Sequence, residues 1–395
     1  MDSVHLPRRL LLAGIGSAAL ATVAGCESQS PGATPATPRP TTTARPSRTA
    51  ARGGEAALRR KIASLLVVGF RGDRVSDRDW IVKAVRGGLG GVILFDQDLE
   101  TKSVRNIRSP EQVTRLVKSL KDASPGRLIV SIDQEGGRTS RLNRSNGFPA
   151  TRSEAEIGAE DSSAATRDWA RGLVASLARI GANLNYAPVV DLNVNPDSRA
   201  IGKLGRSFSA DPDVVVSNAT EEIQAHRAAG VKTVLKHFPG LGSAAGNTDF
   251  EVVDVSDTWQ ERELEPFQRL IQAGVADSVM AAHVLNRQLD PAYPASLSTA
   301  TVTDLLRGRL GWRGPVVSDD MQAVAITDRY GAAAAVALAL QAGLDLLVFA
   351  NQQVYNPRVV DETVDTIMGL VRTGRISEDR IDQSVTRVDS LRPKR

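Results

Sequence analysis

Eight short apolar runs recur along the chain, with amphipathic stretches between them. The runs are LLVVGF (65–70), GGVILF (90–95), RLIVSID (127–133), NLNYAP (183–188), VKTVLKHF (231–238), SVMAAHV (278–284), GPVVSDD (314–320) and LDLLVFA (344–350). They lack strict period-two alternation, the pattern of strands buried on both faces. Helical spacing fills 76–86, 110–122, 155–180, 211–229, 258–274, 298–310 and 331–342, and a longer stretch spans about 360–391. SPEQV (109–113) and SADPDVV (209–215) carry N-cap residues with a proline in the first turn. Strands alternating with helices predict a parallel α/β sheet. Eight such units predict closure into a (β/α)8 TIM-type barrel, a single domain over 56–395. A doubly wound sheet would want a glycine-rich turn after an early strand. GGLGG (87–91) precedes a strand instead.

The first residues break this pattern. Arg8 and Arg9 form a twin-arginine pair ahead of the apolar run LLLAGIGSAALATVAG, which ends at Cys26. The run suits an export signal and is short for a membrane span. Cys26 is the only cysteine of the chain, so no intrachain disulfide forms. Its place just after a signal core, in VAGC, resembles the lipobox of bacterial lipoprotein signals (1–26). The expectation is an exported protein, lipid-anchored at the extracytoplasmic face of the cell membrane. Residues 27–55 are rich in Pro, Thr, Ala and Arg and nearly free of large apolar side chains, a tether rather than part of a core. The net charge is only +4 over 395 residues, with no basic stripe interleaved with aromatics, which argues against a nucleic-acid partner. A monomer is expected.

In a barrel of this kind chemistry sits at the C-terminal ends of the strands. Nearly every predicted strand delivers a polar group there: Asp133, Asp191 with Arg206 beyond it, Lys236 and His237, His283, Asp319 and Asp320, and Asn351. Each taken singly reads as a strand cap. Together, carboxylates, cations and amides suit a neutral polyhydroxylated ligand, whose adjacent hydroxyls they can bridge. A metal site is disfavoured, because no His-x-Glu-x-x-His spacing occurs and Lys236 adjoins His237. No cofactor is expected.

DQEGGRTSRL (133–142), APVVDL (187–192), GRSFSADP (205–212), KHFPG (236–240), AAHV (281–284) and VVSDDM (316–321) stand in an order and spacing that resembles glycoside hydrolase family 3. The single-domain bacterial β-N-acetylglucosaminidase branch, which trims cell-wall amino sugars, is the most similar. The resemblance covers about 60–392. It implies a retaining exo-β-glycosidase of peptidoglycan turnover, with Asp319 as nucleophile. It also implies that Asp133, Arg206, Lys236 and His237 bind sugar hydroxyls, with His283 close to the site and Glu135 orienting its neighbours.

One loop departs from the family. The branch usually carries KHFPGHGD…DSH, whose last histidine is the acid/base. Here the aligned positions are Leu241, Ser243, Asn247, Thr248 and Asp249. The four histidines of the chain lie elsewhere, at 5, 226, 237 and 283. Either Asp249 is the acid/base, its pKa raised by an ionised Asp319, or the enzyme is weakened. A third alternative is that the barrel has become a sugar-binding lipoprotein of the cell wall.

Overall fold

The computed structural model describes residues 48–394. The expected signal, Cys26 and the tether up to residue 47 lie outside them. Nine parallel strands form one sheet: β1 Leu66–Gly69, β2 Gly91–Leu94, β3 Ile129–Ile132, β4 Leu184–Asn185, β5 Lys232–Thr233, β6 Leu235–Phe238, β7 Val279–Ala281, β8 Val316–Asp320 and β9 Leu346–Phe349. Their order in the sheet is β5-β4-β3-β2-β1-β9-β8-β7-β6. Strands β5 and β6 are two halves of the fifth predicted run, parted at Val234. The chain after β4 closes the barrel across that break. Val234 donates to Ala187 O at 3.0 Å, and Val190 to Lys236 O at 2.8 Å. Every residue of β1, β2, β3, β6 and β9 is buried, as the continuous apolar runs require.

The helices are α1 Arg48–Ala63, α2 Trp80–Arg86, α3 Pro110–Ala123, α4 Glu154–Gly158, α5 Ser163–Ile180, α6 Pro212–Ala228, α7 Glu265–Gln272, α8 Val324–Tyr330, α9 Ala332–Ala342, α10 Val359–Arg372 and α11 Glu378–Asp389. Ser109 caps α3 in a full capping box, and Asp211 caps α6 ahead of its N-terminal proline. The remaining expected helix is a π-helical stretch, Ala300–Arg309. Two expectations are corrected. The stretch read as tether turns helical at Arg48, where alanine and arginine favour a helix over an extended chain. The single terminal helix is two, α10 and α11, because Gly374 turns the chain at φ +70° between them. Helix α11 then pins the N-terminal end of the barrel. Arg307, Arg380 and Arg387 all converge on the fully buried Asp345, at 2.6, 3.2 and 3.1 Å. A charge so deep in the protein is tolerable only when paired this densely.

Candidate active site

At the C-terminal ends of the strands lies a cavity of about 530 Å³. Its floor is a continuous chain of ion pairs. Lys236, within β6, contacts Asp133 at 3.0 Å and Glu135 at 2.7 Å. Glu135 grips Arg206 with both oxygens, at 2.7 and 2.8 Å. Lys236 and Glu135 are only 2% and 1% exposed, so each charge depends on the other for its solvation. Burial works against the ionised Glu135, but Arg206 and Lys236 outweigh it and hold the carboxyl well below the usual range. Behind it, Glu154 and Glu222 are buried acids. Burial, and then the neighbouring carboxylates, push both well above the usual range.

His237 continues the chain. Its Nδ1 donates to Asp191 Oδ2 at 2.7 Å, and its Nε2 accepts from Arg206 at 3.4 Å, which fixes the tautomer. Asp191 also accepts the backbone N–H of His237 and of Leu241, the latter at 2.7 Å. It thus ties the imidazole to the loop that follows β6.

That loop carries Asp249. Gly242 lets it pass close to the neighbouring loop, since a Cβ there would lie 1.7 Å from Leu192 O. Leu241 and Ser243 are buried within the loop. Asn247 folds its side chain back onto the Asp249 N–H at 3.0 Å, an Asx turn. The carbonyls of Thr248 and Asp249 accept from Ala325 and Val324, each at 3.3 Å. These are the first amides of α8, which no side chain caps. The loop therefore docks on the helix that follows β8, the strand of Asp319.

Asp319 and Asp249 both line the cavity. Burial opposes ionisation of Asp319, yet His283, His237, the Asp320 N–H at 2.9 Å and Lys236 hold it below the ordinary aspartate range. Asp249 is shifted the other way. Burial and then the charge of Asp319 push it up to about 6. Two carboxyls of one cavity are thus driven apart, one kept ionised and one kept ready to carry a proton. Asp320, pushed up to about 7 by burial and by its two carboxylate neighbours, spends one oxygen on the amides of Gln322 and Ala350.

The cavity gathers Asp133, Arg206, Lys236, His237, Asp249 and Asp319, all expected from the sequence. Two expected groups lie elsewhere. His283 is buried behind the wall, where Nε2 donates to Asp320 O at 2.9 Å and Nδ1 accepts from Ser296 Oγ at 2.6 Å. Burial lowers its pKa, and it braces the strand end rather than facing ligand. Asn351 is spent on Gly69 O at 2.9 Å and Asn356 O at 3.2 Å. Conversely, Asp191 as partner of His237 and Glu154 and Glu222 as buried acids were not foreseen. For Asp191 the signal was its place after β4 in APVVDL. Among the described residues, no group of three His, Cys, Asp or Glu side chains is arranged to hold a metal ion.

A (β/α)8 barrel with oppositely shifted carboxyls above a buried ion-pair floor has the construction of a glycoside hydrolase. The family model of the glycosyl hydrolase family 3 N-terminal domain matches residues 57–391, and the chain belongs to that family. It is 35% identical over 318 residues to a β-hexosaminidase of Xanthomonas oryzae pv. oryzae, covering 77% of this chain and 87% of the relative. Among solved structures, a family 3 β-N-acetylglucosaminidase from Paenibacillus sp. str. FPU-7 superposes with a TM-score of 0.76 at 33% identity. That match covers 85% of this chain and 62% of that one. The β-N-acetylhexosaminidase from Beutenbergia cavernae gives a TM-score of 0.75 at 30% identity, covering 84% of this chain and 97% of that one.

Proposed function

We propose that the protein is a retaining exo-β-N-acetylglucosaminidase acting on peptidoglycan-derived amino sugars, with Asp319 as nucleophile and Asp249 as acid/base. The observation that carries the reading is the opposed shift of those two carboxyls within one cavity. In the first step a carboxylate oxygen of Asp319 attacks the anomeric carbon and the glycosidic C–O bond breaks. Asp249 gives its proton to the departing oxygen. In the second step Asp249 takes a proton from water, the water oxygen attacks the same carbon, and the ester to Asp319 opens with net retention. Asp133, Lys236, Arg206 and His237 hold the ring hydroxyls, and the fixed tautomer of His237 leaves its Nε2 as an acceptor. The relatives named β-hexosaminidase and β-N-acetylglucosaminidase support the choice of sugar. A carboxyl already poised near pH 6 gives no reason to prefer a purely sugar-binding barrel.

A panel of aryl β-glycosides tests the reading. The N-acetylglucosaminide is expected to be the best substrate, and Asp319→Ala to abolish its turnover. Failure of every aryl glycoside with sugar binding intact would refute it. The lone Cys26 after an apolar run supports export and lipid anchoring at the outer face of the cell membrane.

A further inference from the structure

The carboxyl of Asp249 makes no hydrogen bond with any described residue, so its position is set by the loop that carries it. That loop has an anchor away from the cavity. Glu263 sits in a 3-10 turn, Glu261–Leu264, that leads into α7. It is fully buried and does not line the cavity. Its Oε2 accepts the Ser243 N–H at 3.2 Å, and its Oε1 accepts the Gln260 N–H at 3.1 Å. Burial pushes its carboxyl up to about 7, against the pull of the Gln260 and Ser243 amides. Gly240 packs directly on it. The glycine has φ +120°, and a Cβ there would lie 2.7 Å from the Glu263 Cβ. Trp259, also buried, donates its indole N–H to Pro239 O at 3.0 Å.

Asp191, on the chain after β4, takes the Leu241 N–H at 2.7 Å. Two buried carboxyls from distant parts of the chain thus grip alternate amides of one short segment, with Gly242 between them closed against Leu192. A buried carboxyl is costly, and bonds to backbone N–H groups are the kind that hold one there. We infer that Glu263 is a positioning residue for the reaction: it fixes residues 240–243, and through them the Asp249 carboxyl against the glycosidic oxygen. A displacement of about 1 Å at a reacting group can cost about 10²-fold in rate. The ion-pair floor is untouched by Glu263, so sugar binding does not depend on it. The inference rests on the assignment of Asp249 as acid/base.

The test measures kcat and KM of the full chain, Glu263→Ala and Glu263→Gln on two aryl N-acetylglucosaminides that differ in leaving-group pKa. Only the poor leaving group needs the proton in the first step. Glu263→Ala is expected to lower its kcat/KM by about 30- to 100-fold, through kcat, and that of the good leaving group by less than about three-fold. Glu263→Gln keeps one acceptor oxygen and should show the same split at about ten-fold, which carries the test if the alanine variant does not fold. N-acetylglucosamine should bind both variants as it binds the wild type in calorimetry. Equal losses on the two substrates, or none, would mark a purely structural role and overturn the inference. If Asp249→Asn spares the poor leaving group, the acid/base assignment fails on its own, and amide hydrogen exchange then decides the anchor. Faster exchange over 240–250 in Glu263→Gln, with the rest of the barrel unchanged, supports it, and unchanged exchange overturns it.

Discussion

Replacing Asp249 by Asn removes the titratable carboxyl of the proposed acid/base while keeping the shape of the side chain. With a pKa of about 6, the wild-type carboxyl holds its proton in about half of the molecules at pH 6 and in about 1% at pH 8. Between these two values, kcat/KM for a substrate with a poor leaving group should fall about 50-fold. An aspartate at the ordinary value near 3.9 would already be almost fully ionised at pH 6. Asp319, held below the ordinary aspartate range, should put the acid limb below the titration of a free aspartate. The assay is a pH profile on two aryl N-acetylglucosaminides that differ in leaving-group pKa. In Asp249→Asn the basic limb should vanish, and the poor leaving group should lose about 10² to 10⁴ in rate. The good leaving group should be largely spared in its first step. Azide should restore turnover to Asp249→Ala and form the β-glycosyl azide. Stability gives an independent reading. A carboxyl whose folded pKa is raised loses stability as pH climbs from its unfolded value to its folded one. Asp249→Asn should therefore melt close to the wild type near pH 4 and above it past pH 6. A basic limb that survives in Asp249→Asn would refute the assignment.

Glu135→Gln leaves Arg206 and Lys236 short of their shared counter-charge in a buried site. It should cost about 3 to 5 kcal/mol in denaturant unfolding and raise KM. Asp191→Asn deprives His237 of its anionic partner and weakens the anchor of the Leu241 amide. A fall of about ten- to 100-fold in kcat/KM is expected with a smaller loss of thermal stability, measured side by side. Cys26→Ser should shift the protein from the membrane fraction to the soluble exported fraction. Unchanged fractionation and no lipid label on the wild type would remove the anchor.

The barrel was legible because a strand covered on both faces must be apolar throughout, and eight such runs survive in the sequence. KHFPG was legible for a related reason, since charged residues at the tip of an apolar run have only the barrel mouth to occupy. Side-chain direction was not legible. His237 and His283 end neighbouring strands, yet one faces the cavity and the other the strand behind it. Pairings across long sequence separations were equally hidden. Asp191 and His237 lie 46 positions apart and meet because the chain after β4 runs beside β6. Glu154 and Glu222 lie in helices, and only packing buries them. The position of Asp249 was found by alignment to a loop. The cause of its raised pKa, burial beside Asp319, needed the folded structure.

Trapping the covalent intermediate tests the central claim most directly. The purified chain is incubated with a 5-fluoro N-acetylglucosaminyl fluoride, which slows the second step more than the first, and is then digested for mass spectrometry. The account predicts one glycosyl adduct, on the peptide containing Asp319 and on that residue, absent in Asp319→Ala. An adduct on another residue, or release of an inverted product with no adduct, would contradict it.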